Sequence, residues 1–182
     1  MLADAEACRE RGNAHFKAGE FARAREEYDT ALKALAQLQE EDTAREATTK
    51  CRLNKAACLL KLQGYAAAGA ECRRVIEAEP DNAKAHFRLG QAAEKLGDYA
   101  SAQRSLTDAI KLSPSLKEPR ELLEQVKARL KANPRLEQAL QDMALVEERA
   151  LRALNHADIK RSRQQLELLL KDAVRGGLMT HH

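Results

Sequence analysis

An all-α repeat fold is what this sequence predicts, on three observations. Of its 182 residues, 34 are Ala and 26 Leu against only seven Val and Ile together, a composition rich in helix formers and poor in the β-branched residues that strands favour. A turn-and-alanine motif then recurs: Gly19-Glu20-Phe21 with Ala24, Gly64-Tyr65 with Ala68, and Gly97-Asp98-Tyr99 with Ala102. Seven residues past those alanines come Ala31, Val75 and Ala109, and the second and third units close on Pro80 and Pro114, 34 residues apart.

Each unit reads as a helix, a glycine-containing turn, a second helix and a proline stop, with a polar pair such as Asp81-Asn82 opening the next helix. In the first unit the opening helix carries Gly12 and the second Ala24. Ala56 and Ala68 take those places in the second unit, and Gly90 and Ala102 in the third. Small residues at these places let helix axes approach to about 8–10 Å. The step from Phe21 to Tyr65 is 44 residues, so the first two units are separated by a ten-residue insertion between Leu35 and Thr49. The insertion is expected to extend its flanking helices without making a new site. Beyond Pro114, Glu118 to Lys131 reads as a capping helix through Leu122, Leu123 and Leu130. Two amphipathic helices follow at about Pro134–Asn155 and Asp158–Arg175, the second with Asp158 as N-cap. The expected division is therefore 1–132, a helical extension at 133–178 that could begin a second helical domain, and a tag-like remnant at 179–182 ending in His181-His182.

The charge balance, 31 basic against 28 acidic residues for a net +3, argues against a general nucleic-acid or membrane surface. No apolar run approaches the roughly 20 residues of a membrane span. Cys8, Cys51, Cys58 and Cys72 lack CxxC spacing, and Met1 to Glu10 is polar and periodic rather than leader-like, so a reducing, cytoplasmic setting is expected. His15, His86 and His156 form no metal-ligand spacing with carboxylates or thiols, no Cys/His nucleophile pair is visible, and Gly176-Gly177 is an isolated pair rather than a phosphate loop. Neither enzymatic activity nor a cofactor or metal is expected.

With small residues, turn aromatics, alanines and prolines in one register three times, Ala5 to Ser115 resembles the tetratricopeptide repeat (TPR) family. The resemblance implies a right-handed superhelix of three helix-turn-helix repeats, whose first helices line a concave peptide-binding wall. The sequence departs from the family where a large first-helix aromatic is usual, holding Cys8, Arg52 and His86 instead. Arg9 and Asn13, then Asn54, then Lys84 and Arg88 fall on that wall, the first and last as i, i+4 pairs. This set resembles the two-carboxylate clamp of co-chaperone TPR domains, which hold the acidic C-terminal Glu-Glu-Val-Asp tail of heat shock proteins 90 and 70. Arg9 stands where the family has lysine, exchanging a point ammonium for a planar fork.

By the resemblance, Arg9, Asn13 and Asn54 hold the terminal main-chain carboxylate, with Lys84 sharing it. Lys84 and Arg88 reach the terminal side chain and preceding backbone, while Phe16, Lys61 and Gln91 contact residues upstream. A TPR scaffold for a non-chaperone partner is the alternative reading. The insertion is similar to that of FKBP-type immunophilins, in which a prolyl isomerase domain would precede Met1. Lys50 to Leu96 with its helical continuation resembles UCS-type myosin chaperones, in which armadillo-like repeats would follow.

Overall fold

The computed structural model describes residues 1–38 and 42–132, with Leu145, Glu148, Arg149 and Arg152. The chain divides into two units, Met1–Ala132 and Asn133–His182. The helices expected at 134–155 and 158–175 and the closing segment 179–182 lie outside the described residues, those four excepted. The first unit holds seven helices and no strand among the described residues: α1 (Leu2–Lys17), α2 (Phe21–Leu35), α3 (Asp42–Lys61), α4 (Tyr65–Ala78), α5 (Ala83–Lys95), α6 (Tyr99–Leu112) and α7 (Glu118–Lys131).

Consecutive helices pack as antiparallel neighbours, and α1, α3, α5 and α7 also touch in succession, which builds one wall from the first helix of every pair and the capping helix. All three turns use the same backbone device. The N–H groups of Glu20, Gly64 and Asp98 return to the carbonyls of His15, Leu59 and Ala93 at 2.8–2.9 Å, closing the preceding helix through a left-handed residue. That residue is Gly19 (φ 79°) and Gly97 (φ 78°), but in the middle turn it is Gln63 (φ 61°). Gly64, the glycine that the motif singles out, instead precedes α4 with φ −79°. Asn82 and Asp98 cap α5 and α6 by accepting from the N–H groups of Ala85 (3.0 Å) and Ser101 (3.1 Å).

The small residues have the predicted steric purpose. A Cβ on Gly12 would lie 2.7 Å from the Tyr28 ring, and one on Gly90 2.7 Å from Leu106 Cγ, both closer than packed atoms come. Ala24, Ala31, Ala56, Ala68, Ala102 and Ala109 are fully buried, so methyl groups form much of the core that aromatics fill elsewhere. Phe16 and Phe21 cover the first joint edge to face, their centroids 5.2 Å apart.

The insertion adds a short 3-10 turn at Ala36–Leu38 and lengthens α3 to 20 residues. It does more than extend helices. Ala36, Asp42, Ala44, Arg45 and Glu46, with the ends of α2 and α4, wall a cleft of about 550 Å³ over Leu35 and Val75. The insertion residues line that cleft and neither of the pockets on the α1–α3–α5 wall.

A buried carboxylate ties α3 to α4. Glu71 accepts from Arg52 (2.9 Å), Lys55 (2.9 Å) and Arg74 (3.0 Å), and Lys55 also reaches Asp29 of α2 at 2.6 Å. Burial pushes the Glu71 carboxyl up, but the hydrogen bonds and charges of Lys55 and Arg52 outweigh it and hold the group below its ordinary 4.5. A depressed folded pKa stabilises above the unfolded value, and that contribution is lost as pH falls through the folded value. Glu71→Gln is therefore expected to lose about 2 kcal/mol in urea unfolding at pH 7. The gap to the wild-type protein should close on acidification. Gly90→Ala is expected to lose about 1–2 kcal/mol in the same assay, because overpacking against Leu106 outweighs the gain in helix propensity.

Candidate functional site

Asn13 and Phe16 of α1, Asn54 and Ala57 of α3, and Arg88 of α5 come together with Lys17 and Tyr28 around a pocket of about 180 Å³. A second pocket of about 390 Å³ shares Phe16, Ala57 and Arg88 with the first. It runs on past Leu60, Lys61, Tyr65 and Gln91 to Leu122 and Arg129 of α7. The two form one groove along the wall. Six of the eight residues singled out in the sequence line it: Asn13, Phe16, Asn54, Lys61, Arg88 and Gln91.

Arg9 and Lys84 do not. Arg9 lies half-buried along its own helix, α1, where its guanidinium is taken up by the Glu6 and Glu10 carboxylates. The Glu6 hydrogen bond raises its pKa and lowers that of Glu6. To reach a ligand, Arg9 must exchange one of those partners. Lys84 is exposed in the first turn of α5, with no ion pair to any described residue.

At the floor of the smaller pocket, the Tyr28 hydroxyl donates to Asn13 Oδ1 at 2.8 Å, and Asn54 Nδ2 donates to the same oxygen at 3.1 Å. Tyr28 is 1% exposed, and burial pushes its phenol up to about 12, so it remains a protonated donor at any physiological pH. Tyr28 escapes the sequence reading because it belongs to a second helix, while the search for ligand contacts follows first helices alone. Its signal is present: it falls seven residues after the turn aromatic Phe21, on the α2 face that carries Ala24.

Arg88 is the electrostatic singularity of the groove. It has no hydrogen bond or ion pair to any described residue, although it is only partly exposed. Burial depresses its pKa, and the groups around it are the Cys72 and Cys58 thiols and the Tyr28 phenol, all neutral at pH 7. Burial likewise lifts both thiols to about 11. A guanidinium still charged at neutral pH is thus held partly desolvated with no counter-ion among the described residues, an arrangement that disfavours the empty groove and favours an anion in it. Counted along both pockets, Lys17, Lys61, Arg88, Lys95 and Arg129 face one carboxylate, Glu94. Glu94 is buried and neutralised by Arg129 and by Lys95 at 3.2 Å, and Arg129 also lies over the Tyr99 ring at 5.9 Å. The groove therefore offers donors and positive charge to an anionic, extended ligand. Among the described residues no group of three or more metal-capable side chains occurs, and no helix is long and apolar enough to cross a membrane.

Residues 5–38 and 83–116 match the family model described as tetratricopeptide repeat. The helix pairs α1–α2 and α5–α6 are thus tetratricopeptide repeats. Among curated relatives it is similar to the peptidyl-prolyl cis-trans isomerase FKBP42 of Arabidopsis thaliana, at 37% identity over 128 residues, which is 64% of this chain and 35% of that protein. It is also similar to the protein unc-45 homolog B of Danio rerio, at 30% identity over 146 residues, 78% of this chain and 15% of that protein. The TPR chain thus spans about a third or less of the length of these relatives. Among solved structures, the C-terminal TPR-containing domain of a Plasmodium falciparum FK506-binding protein superposes with a TM-score of 0.68 at 27% identity, over 74% of this chain and 93% of that one. The second TPR domain of human RPAP3, in complex with the HSP70 peptide SGPTIEEVD, superposes with a TM-score of 0.59 at 28% identity, over 69% and 96% of the two chains. Both subfamilies that the sequence resembles, the FKBP type and the myosin-chaperone type, are among the TPR relatives.

The isolation of Arg88 has a consequence for the empty protein. Arg88→Met, which keeps the aliphatic stem and removes the unpaired charge, is expected to raise stability by about 1 kcal/mol in urea unfolding while removing anion binding. An unchanged or lowered stability would mean that the guanidinium is satisfied in the free protein.

Proposed function

We propose that this TPR domain is a chaperone adaptor that binds the acidic C-terminal Glu-Glu-Val-Asp tail of heat shock protein 70 or 90 in the cytoplasm. The observation that carries the reading is the uncompensated Arg88 guanidinium beside the Asn13 and Asn54 carboxamides. A chain terminus ending in Asp brings two carboxylates to one residue, and a pocket of N–H donors around a lone cation complements such a group. The HSP70 peptide carried by the human RPAP3 domain supports the choice of ligand. The four free, buried cysteines suit a reducing compartment.

In this reading Asn13, Asn54 and Arg88 hold the terminal residue. Arg9 joins them by releasing Glu6 or Glu10, and Lys84 swings in from the rim. Phe16, Lys61 and Gln91 meet the residues upstream, along the larger pocket. Isothermal titration with free-acid peptides ending Met-Glu-Glu-Val-Asp and Ile-Glu-Glu-Val-Asp tests this. Dissociation constants in the micromolar range are expected, with a loss of about tenfold or more on C-terminal amidation, since one charge-assisted contact is worth about 1.5–3 kcal/mol. Affinity should also fall with added salt. Equal affinity for acid and amide would instead assign the groove to an internal segment of a different partner.

A further inference from the structure

Tyr28 performs two separable tasks. Its ring fills the space left by Gly12, among Ala24, Cys58, Phe16 and Phe21, and a phenylalanine would do that equally well. Its hydroxyl does something else: it gives its single proton to Asn13 Oδ1, which also accepts from Asn54 Nδ2. A carboxamide oxygen has two lone pairs, and both are now used. The two N–H groups of Asn13 are left without a partner among the described residues, in a side chain that lines the small pocket beside Arg88. We propose that Tyr28 is a positioning and specificity residue of this pocket, fixing the Asn13 carboxamide with its N–H groups toward the ligand so that the pocket accepts a carboxylate and rejects a carboxamide.

The alternative rotamer shows what the hydroxyl prevents. An asparagine side chain turned end over end keeps its shape and exchanges donor for acceptor. Turned over, Asn13 would present its oxygen to the pocket, repelling a carboxylate and welcoming the N–H groups of an amidated chain end. Asn54 alone does not exclude this, because its own carboxamide can turn in concert. A phenol donating its proton into the cluster biases both amides one way, because phenols donate more strongly than they accept. With its phenol pushed up to about 12, Tyr28 keeps that proton throughout the physiological range.

The inference rests on the tail-binding reading above, and its test separates the two. Tyr28→Phe, Asn13→Ala and the double variant are compared with the wild-type protein for free-acid and amidated peptides ending Ile-Glu-Glu-Val-Asp. The Asn side-chain amide signals are recorded by NMR without peptide. Tyr28→Phe is expected to weaken free-acid binding about fivefold. It should lower the ratio of acid to amide affinity and shift the Asn13 amide signals while the backbone spectrum of α3 to α7 is retained. In the Asn13→Ala background it should cost nothing further. Unmoved Asn13 signals, an unchanged acid-to-amide ratio, or losses that multiply in the double variant would overturn the positioning role. A wild-type protein that binds no acidic tail would overturn the adaptor reading, and the amide signals would still decide whether Tyr28 orients Asn13.

Discussion

The α1–α2 pair closes because Gly12 has no side chain, and the Tyr28 ring occupies the space where a Cβ would be. The same interlock, Gly90 under Leu106, closes α5 on α6, and a methyl group at Ala56 serves the middle pair. Helices brought this near leave little room for large side chains in the interior, which is why a chain with so few aromatics still buries its alanines completely. They also line up α1 and α3 so that Asn13 and Asn54, 41 residues apart in the chain, come within 3.1 Å. The groove is a product of that closeness. Its floor is the hydroxyl of the very residue that packs against Gly12.

Two buried carboxylates and one half-buried guanidinium are treated differently by this fold. Glu71 is surrounded by three cations drawn from its own helix and its neighbour. Glu94 is closed off by Arg129 and Lys95, which also pins α7 to α5. Both buried carboxylates among the described residues are therefore answered within the domain. Arg88, on the groove face of α5, is answered by no described residue, and the neutral thiols and phenol around it supply no charge to compensate it. An unpaired, partly desolvated cation lowers the stability of the free state, and a fold retains one at such a place when a ligand supplies the missing charge.

Much of this was legible in the sequence, for a physical reason in each case. Gly12, Gly90, Ala24, Ala68 and Ala102 announce close helix contacts, and Pro80 and Pro114 announce helix ends. The wall residues Asn13, Asn54 and Arg88 follow from the resemblance to co-chaperone TPR domains once the units are in register. What escaped depends on atoms from separate helices. Burial of Glu94 under Arg129 joins residues 35 apart, and no local pattern signals it. Arg9 could be read as a free cation by its place on the wall, although the carboxylates that occupy it, Glu6 and Glu10, stand three residues before it and one after. Gln63 adopts the left-handed backbone that glycine motifs advertise, because the turn's hydrogen bonds fix the place of that residue, and here Gly64 lies one position late. Tyr28 went unread because a second helix reaches the groove only through the opening that Gly12 makes.

In the proposed function the chain end of an acidic tail sits at Arg88. A crystal structure of this domain with a free-acid peptide ending Glu-Glu-Val-Asp tests it most directly. A terminal carboxylate is expected within hydrogen-bond distance of the Arg88 guanidinium and of the Asn13 and Asn54 amide nitrogens, with the upstream residues running toward Leu122 and Arg129. A peptide whose C-terminus points into solvent, with Arg88 still without an anion, would contradict it.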